Sequence, residues 1–187
     1  DVIFGTGDPS PERLEPMRVY RNRGDGSFDD VSWRWGLTGG GKGHGITVAD
    51  FDHDGRLDLY APYGGYFHCD ETPAMLFHNL LPRRPSLWVR LIGGRSNRGA
   101  LGARLTLRAG RRTWVREVTG PTGFGSTNSQ WVHFGLGSAR GVDGLTIRWP
   151  SGAVERVGGL APDTRVTVTE GKGITDRAGL SAALRQD

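Results

Sequence analysis

The feature that most constrains this chain is the near absence of helical periodicity. In its place, short alternating apolar runs are cut by glycine-containing turns at intervals of about 10 to 20 residues. Met17 to Arg21 alternates, Asn22-Arg23-Gly24-Asp25-Gly26 turns the chain, and Ser27 to Val31 returns. Gly24 and Gly26 take positive φ at little steric cost, so this stretch reads as a hairpin. Ile46 to Ala49 and Leu57 to Ala61 form a second pair around an aspartate-rich loop, and Met75 to Phe77 is a third short strand. The pattern predicts an all-β protein.

Pro82, Arg83, Arg84 and Pro85 interrupt the rhythm, because proline cannot donate to a sheet ladder. The domain boundary is placed there: a first domain over 1–81, a second over 82–172 and a C-terminal tail over 173–187. In the second domain Leu87 to Leu91 sets Leu, Val and Leu on one face, with Trp88 and Arg90 on the other. Ala103 to Leu107, Arg112 to Val118, Trp131 to Phe134, Leu145 to Trp149, Val154 to Val157 and Val166 to Thr169 supply the remaining strands. Such a set suggests a β-sandwich or a small barrel. The tail from Thr175 to Leu184 reads either as a short amphipathic helix, capped by Thr175 with Asp176 in its first turn, or as a frayed end.

Charge separates the two halves. Residues 1–81 carry 7 Lys/Arg against 13 Asp/Glu, residues 82–187 carry 17 against 7, and the whole chain is +4. The arginines of the basic half are dispersed along strands (Arg90, Arg104, Arg108, Arg116, Arg148), with no basic run and no nucleic-acid reader motif, so nucleic acid is not an expected partner. No apolar run reaches the length of a membrane span, and no basic region followed by an apolar stretch stands at the N-terminus. One cysteine, Cys69, forbids an intramolecular disulfide and any multi-cysteine zinc or iron–sulfur site.

The sharpest chemical signal is Asp50-Phe51-Asp52-His53-Asp54-Gly55-Arg56-Leu57-Asp58. Carboxylates at relative positions 1, 3, 5 and 9 can converge on one point, Gly55 permits the bend, and the Arg56 carbonyl can add a backbone oxygen. Hard oxygen donors in that number suit Ca²⁺ better than zinc or copper. Without a cation these carboxylates would repel one another or shift their pKa values upward. Strands rather than helices flank the loop, and Ala61 stands where an EF-hand places glutamate, so the expectation is a β-hairpin calcium loop with ligands Asp50, Asp52, Asp54, Arg56 and Asp58. The competing reading is a solvated acidic turn. A second acidic group, Asn22, Asp25, Asp29 and Asp30, matches no metal-loop spacing and is explained by side-chain hydrogen bonds in the hairpin turn.

Tyr20 to Val31, then Gly43-His44-Gly45, then the aspartate loop, resemble an FG-GAP/VCBS propeller repeat. Ser96-Asn97-Arg98, Gly102-Ala103-Arg104, His133-Phe134-Gly135-Leu136-Gly137 and Arg148-Trp149-Pro150-Ser151-Gly152, in that order, resemble the ASPIC/UnbV domain of proteins similar to the cartilage acidic proteins. Together these strings cover roughly residues 1–172. The resemblance implies one or two β-propeller-type blades followed by a β-sandwich-like ASPIC/UnbV domain. It also implies calcium in the repeat's loop and a secreted, extracellular or periplasmic location. A propeller needs about 4 to 8 blades. This chain has material for one or two, so it reads as the C-terminal part of a longer protein or as a short subunit. An incomplete blade leaves strand edges open to a protein partner or to further copies of the chain.

No catalytic group is nominated. His44, His68, Cys69 and His78 lack a metal-ligand spacing, and His133 reads as a sheet residue. Ser151 lacks the nucleophile-elbow frame. Gly39-Gly40-Gly41-Lys42-Gly43 lacks the ending and the helix of a phosphate loop. The expected function is therefore a secreted, calcium-binding, non-catalytic structural or adhesion protein. Two alternatives stand beside it. A glycan-binding module would need coplanar exposed tryptophans among Trp88, Trp114, Trp131 and Trp149. An accessory or catalytic subunit of a biosynthetic pathway would need a pocket holding perturbed titratable groups.

Overall fold

The computed structural model describes residues 1–7, 16–37, 43–64 and 72–180. The readings made above for His68, Cys69 and the Gly39–Lys42 stretch lie outside the described residues. The chain forms two compact units: 1–49 with 58–79 and 121–128, and 50–57 with 80–120 and 129–187. All fourteen described elements that position the site are strands, as the alternation predicts.

The first unit holds two three-stranded antiparallel sheets. One is β1 (Val2–Phe4), β2 (Arg18–Asn22) and β3 (Phe28–Asp30), the other β4 (Thr47–Ala49), β5 (Asp58–Ala61) and β6 (Met75–Phe77), each in sequence order. A propeller blade has about four strands, and neither sheet reaches four among the described residues. The described residues form no propeller. Met17, Leu59, Ala61 and Tyr63 make a small core, with Ile3, Ile46, Val48, Met75 and Phe77 packed against it.

The expected hairpin turn is present, and its acidic residues are spent locally. Asn22 Oδ1 accepts from Gly24 N at 2.7 Å, and Asp25 Oδ1 accepts from Ser27 N at 2.9 Å. Asp29 pairs with Arg23, and Asp30 Oδ1 accepts from Ser32 N at 3.0 Å. Gly24 and Gly26 adopt φ of 87° and 91°, as the turn reading requires. His44 is clamped by backbone. Its Nε2 meets the Gly64 carbonyl, and a Cβ on Gly5 would stand 2.0 Å from the His44 carbonyl oxygen.

The second unit is a two-sheet sandwich. Its strands are β7 (Ser86–Ile92), β8 (Arg104–Ala109), β9 (Arg112–Glu117), β10 (Val132–Gly135), β11 (Gly144–Arg148), β12 (Val154–Val157), β13 (Thr164–Thr169) and β14 (Gly173–Gly179). One sheet runs β10-β7-β13-β14 and the other β12-β11-β8-β9. Among the described strands, only β7 and β13 pair in parallel. Leu87, Val89, Leu91, Phe134, Val166 and Val168 from the first sheet share one core with Leu105, Leu107, Leu145, Ile147 and Val157 from the second. Full burial of that many large side chains, at about 1.5–3 kcal/mol each, is the main favourable term for this unit. Trp88 leaves the core face of β7, as the alternation predicts, yet is only 1% exposed because other groups cover it.

The tail departs from the sequence reading. Residues 173–179 form β14, antiparallel to β13, with a register shift between Thr167 and Val168. Thr175 does not cap a helix: its hydroxyl bonds the Thr169 hydroxyl at 2.9 Å across the pair. Pairing satisfies the backbone groups of β13 that a helix would have left open. Residues 181–184 of the expected helix lie outside the described residues.

Candidate metal loop and its arginine brace

The aspartate loop is the bend of the β4–β5 hairpin, closed by the paired residues Ala49 and Asp58. Gly55 sits at φ 90° and His53 at φ 61°, both in the left-handed region. Gly55 takes it freely. His53 takes it at a cost. The alternate aspartates fold back on the loop's own amides: Asp52 Oδ1 accepts from Asp54 N at 3.2 Å, Asp54 Oδ1 from Arg56 N at 2.8 Å, and Asp50 Oδ2 from Gly55 N at 3.2 Å.

Asp50, Asp52 and Asp58 of this one hairpin each offer an oxygen within 4.8 Å of the others, a group that could hold a metal ion. Asp50 and Asp58 are buried at 7% and 3% exposure. Asp58 Oδ1 also accepts from Asn79 N at 2.8 Å, which fixes its rotamer. Asp54 pairs with the Arg56 guanidinium, whose Nη1 also reaches the Leu81 carbonyl at 3.4 Å.

Asp50 is the distinctive member. Its Oδ2 receives two donors, Gly55 N and Arg165 Nη2, the latter at 2.9 Å, while Oδ1 is buried with no hydrogen-bond partner. Burial pushes its pKa up; Arg165 and the Gly55 amide pull the other way without cancelling the rise. A buried carboxylate oxygen without a donor is costly in a neutral surrounding, and its natural complement is a cation. The Asp50, Asp52 and Asp58 group therefore fits a hard divalent ion, since its donors are three carboxylates with no nitrogen or sulfur among them.

Sequence reasoning missed the groups behind Asp50. Arg165, from β13, stands over two indole rings, 5.6 Å from the Trp88 centroid and 5.7 Å from that of Trp131. Its Nη2 also lies 3.0 Å from His53 Nδ1. Arginine carries only donors, so that ring nitrogen is the acceptor. The loop supplied a visible signal in its spacing. The arginine supplied none, being 115 residues from its partner.

A second convergence lies in the ASPIC-like strings. Glu170 Oε2 accepts from three consecutive amides, Gly94 N at 2.9 Å, Arg95 N at 2.9 Å and Ser96 N at 2.7 Å. Its Oε1 accepts from Ser96 Oγ at 3.0 Å and from the Ser151 hydroxyl. Burial would raise the Glu170 pKa, but the bonds from Ser151, Ser96 and Gly94 outweigh it and hold the carboxyl at about 2. Ser151 is thus a tie to Glu170. His133 packs against Trp88 with ring centroids 4.6 Å apart and the planes tilted by 51°, and burial, reinforced by Arg116, lowers its pKa to about 4.

The alternatives meet specific obstacles here. Trp88 and Trp149 are buried, Trp114 packs against the core, and Trp131 faces Arg165. An open cavity of about 490 Å³ on the β8–β11–β12 face is lined by Arg108, Asp143, Arg156 and their neighbours. None of the perturbed groups Asp50, His133 or Glu170 lines it.

Comparison with known proteins agrees with the order of these parts. Residues 1–61 match the FG-GAP-like repeat and residues 93–175 match ASPIC and UnbV. The chain is 29% identical to cartilage acidic protein 1 of Xenopus tropicalis over 147 residues, 76% of this chain and 20% of that protein. It is 28% identical to cartilage acidic protein 1 of Homo sapiens over 138 residues, 72% of this chain and 20% of that protein. The chain thus spans about a fifth of the length of these relatives. Residues 1–61 are thus similar to an FG-GAP-like repeat and residues 93–175 to the ASPIC and UnbV domain.

Proposed function

We propose that this chain is a secreted, calcium-binding, non-catalytic interaction protein in which Ca²⁺ rigidifies the β4–β5 hairpin. The observation that carries the reading is the carboxylate group of one loop, Asp50, Asp52 and Asp58, with the buried and partnerless Asp50 Oδ1. Asp50, Asp52, Asp54, Asp58 and the Arg56 carbonyl are the proposed ligands. When bound, the ion supplies charge neutralisation and a fixed loop shape; it does no chemistry on a substrate. Millimolar calcium outside the cell keeps even a weak site filled. The match to the FG-GAP-like repeat and the relatives named for cartilage support an extracellular setting.

Partner binding is assigned to the edge strands of the two three-stranded sheets, each the last of its sheet among the described residues, since such edges offer a template for a protein partner or for another copy of this chain. Calorimetric titration of Ca²⁺ and Mg²⁺ tests the metal reading. The expected result is one calcium site, with a dissociation constant of about 10⁻⁵ to 10⁻³ M, and weaker magnesium binding. Asp52→Asn weakens it at least tenfold. No heat from calcium in excess removes the reading.

A further inference from the structure

We propose that Arg165 is the positioning residue of the calcium loop: braced by Trp88 and Trp131, it occupies one oxygen of Asp50 so that the other is presented to the ion. The inference rests on the calcium reading of the loop and goes beyond it, because it makes metal affinity depend on side chains that are not themselves ligands.

The geometry carries the assignment. Asp50 has two oxygens and three claims on them. Arg165 Nη2 and Gly55 N both take Oδ2, and Oδ1 is left without a hydrogen-bond partner. The carboxylate cannot rotate to share its oxygens without breaking both bonds, so the brace chooses which atom is left for the ion. The pair is shielded, with side-chain exposures of 13% for Arg165 and 2% for Asp50, so solvent and salt weaken it little. The guanidinium is itself immobilised: ring faces of Trp88 and Trp131 lie 5.6 and 5.7 Å from its centre, and His53 Nδ1 accepts from the same Nη2 at 3.0 Å. The negative ring faces offset part of its charge, which reduces its repulsion of an ion on the far side of the carboxylate.

Groups that orient a metal ligand from behind commonly govern affinity by about 10- to 100-fold. Linkage is reciprocal. If Arg165 favours calcium, calcium favours the Trp88–Arg165–Trp131 arrangement by the same factor, and indole emission reports it.

The test titrates Ca²⁺ alone into the full chain and into three variants, following heat and tryptophan emission. Arg165→Met is expected to bind calcium about 10- to 100-fold more weakly. Arg165→Lys keeps the charge but loses the planar stack, and falls between the two. Trp131→Leu removes one ring and leaves the loop untouched; it weakens binding about three- to fivefold. Calcium shifts the emission of the wild-type chain and leaves that of Arg165→Met unmoved. Should Arg165→Met fail to fold, Arg165→Lys and Trp131→Leu carry the test. Calcium binding within twofold of wild type in the folded variants overturns the proposal, and so does tighter binding, which would make the guanidinium a competitor of the ion. Absence of binding by the wild-type chain is a different failure: it removes the calcium reading itself, and the role of Arg165 with it.

Discussion

Ser151 and Glu170 meet in a hydrogen bond between the Trp149-Pro150-Ser151-Gly152 turn and the end of β13, and the same carboxylate collects Ser96 and its two preceding amides. One side chain thus ties three stretches of the second unit. Its pKa lies at about 2, below the ordinary value of 4.5, so it stabilises the fold fully above that ordinary value. The contribution is lost as pH falls from 4.5 toward 2, because the unfolded chain takes up the proton first. Urea unfolding at pH 7 and pH 3 checks this. Glu170→Gln is expected to lower the midpoint at pH 7, and to lose less than wild type on acidification.

His133 acts at a higher pH. Its folded pKa of about 4 lies below the ordinary 6.5, so the unfolded chain binds the proton preferentially between those values. Its penalty is absent above 6.5 and grows as pH falls toward 4. In thermal unfolding followed by tryptophan emission, His133→Gln is expected to flatten the loss of melting temperature between pH 6.5 and 4, within which window wild type declines. Equal slopes for the two proteins would contradict the burial of a neutral imidazole against Trp88.

Phe134 is fully buried in the shared core of the sandwich. Truncation to Ala leaves a cavity between the two sheets and is expected to cost about 3–5 kcal/mol in chemical denaturation. A loss below about 1 kcal/mol would mean that the sheets do not share a tightly packed core.

Gly5 tests the first unit separately. Because a Cβ there would stand 2.0 Å from the His44 carbonyl oxygen, Gly5→Ala forces backbone to move. A destabilisation of about 1–3 kcal/mol is expected, read by calorimetry as a lowered transition of the first unit.

The sequence made local features plain and distant ones invisible. Val154–Val157 and Met75–Phe77 form strands where the alternation placed them. The Gly24 and Gly26 turn was written in residue types, since positive φ there all but requires glycine. β1 escaped because three residues hold too little pattern to read. β14 escaped because it is mostly exposed, with Ile174 its one apolar residue packed on the core, while Thr175 and Asp176 imitate the start of a helix. The aspartate loop was legible because its members lie within nine residues of one another. Arg165 and Glu170 were not: the parallel pairing of β7 and β13 sets Arg165 beside Trp88 and brings Glu170 to residues 94–96, and Asp50 lies 115 residues from Arg165 in the sequence. No periodicity announces such a pairing.

The central claim is a calcium ion held by the aspartate loop, and crystals grown with calcium test it most directly through anomalous scattering. The account predicts one peak at about 2.3–2.6 Å from carboxylate oxygens of Asp50, Asp52, Asp54 and Asp58 and the carbonyl oxygen of Arg56, with Arg165 still on Asp50 Oδ2. An ordered loop with no peak at saturating calcium would contradict it.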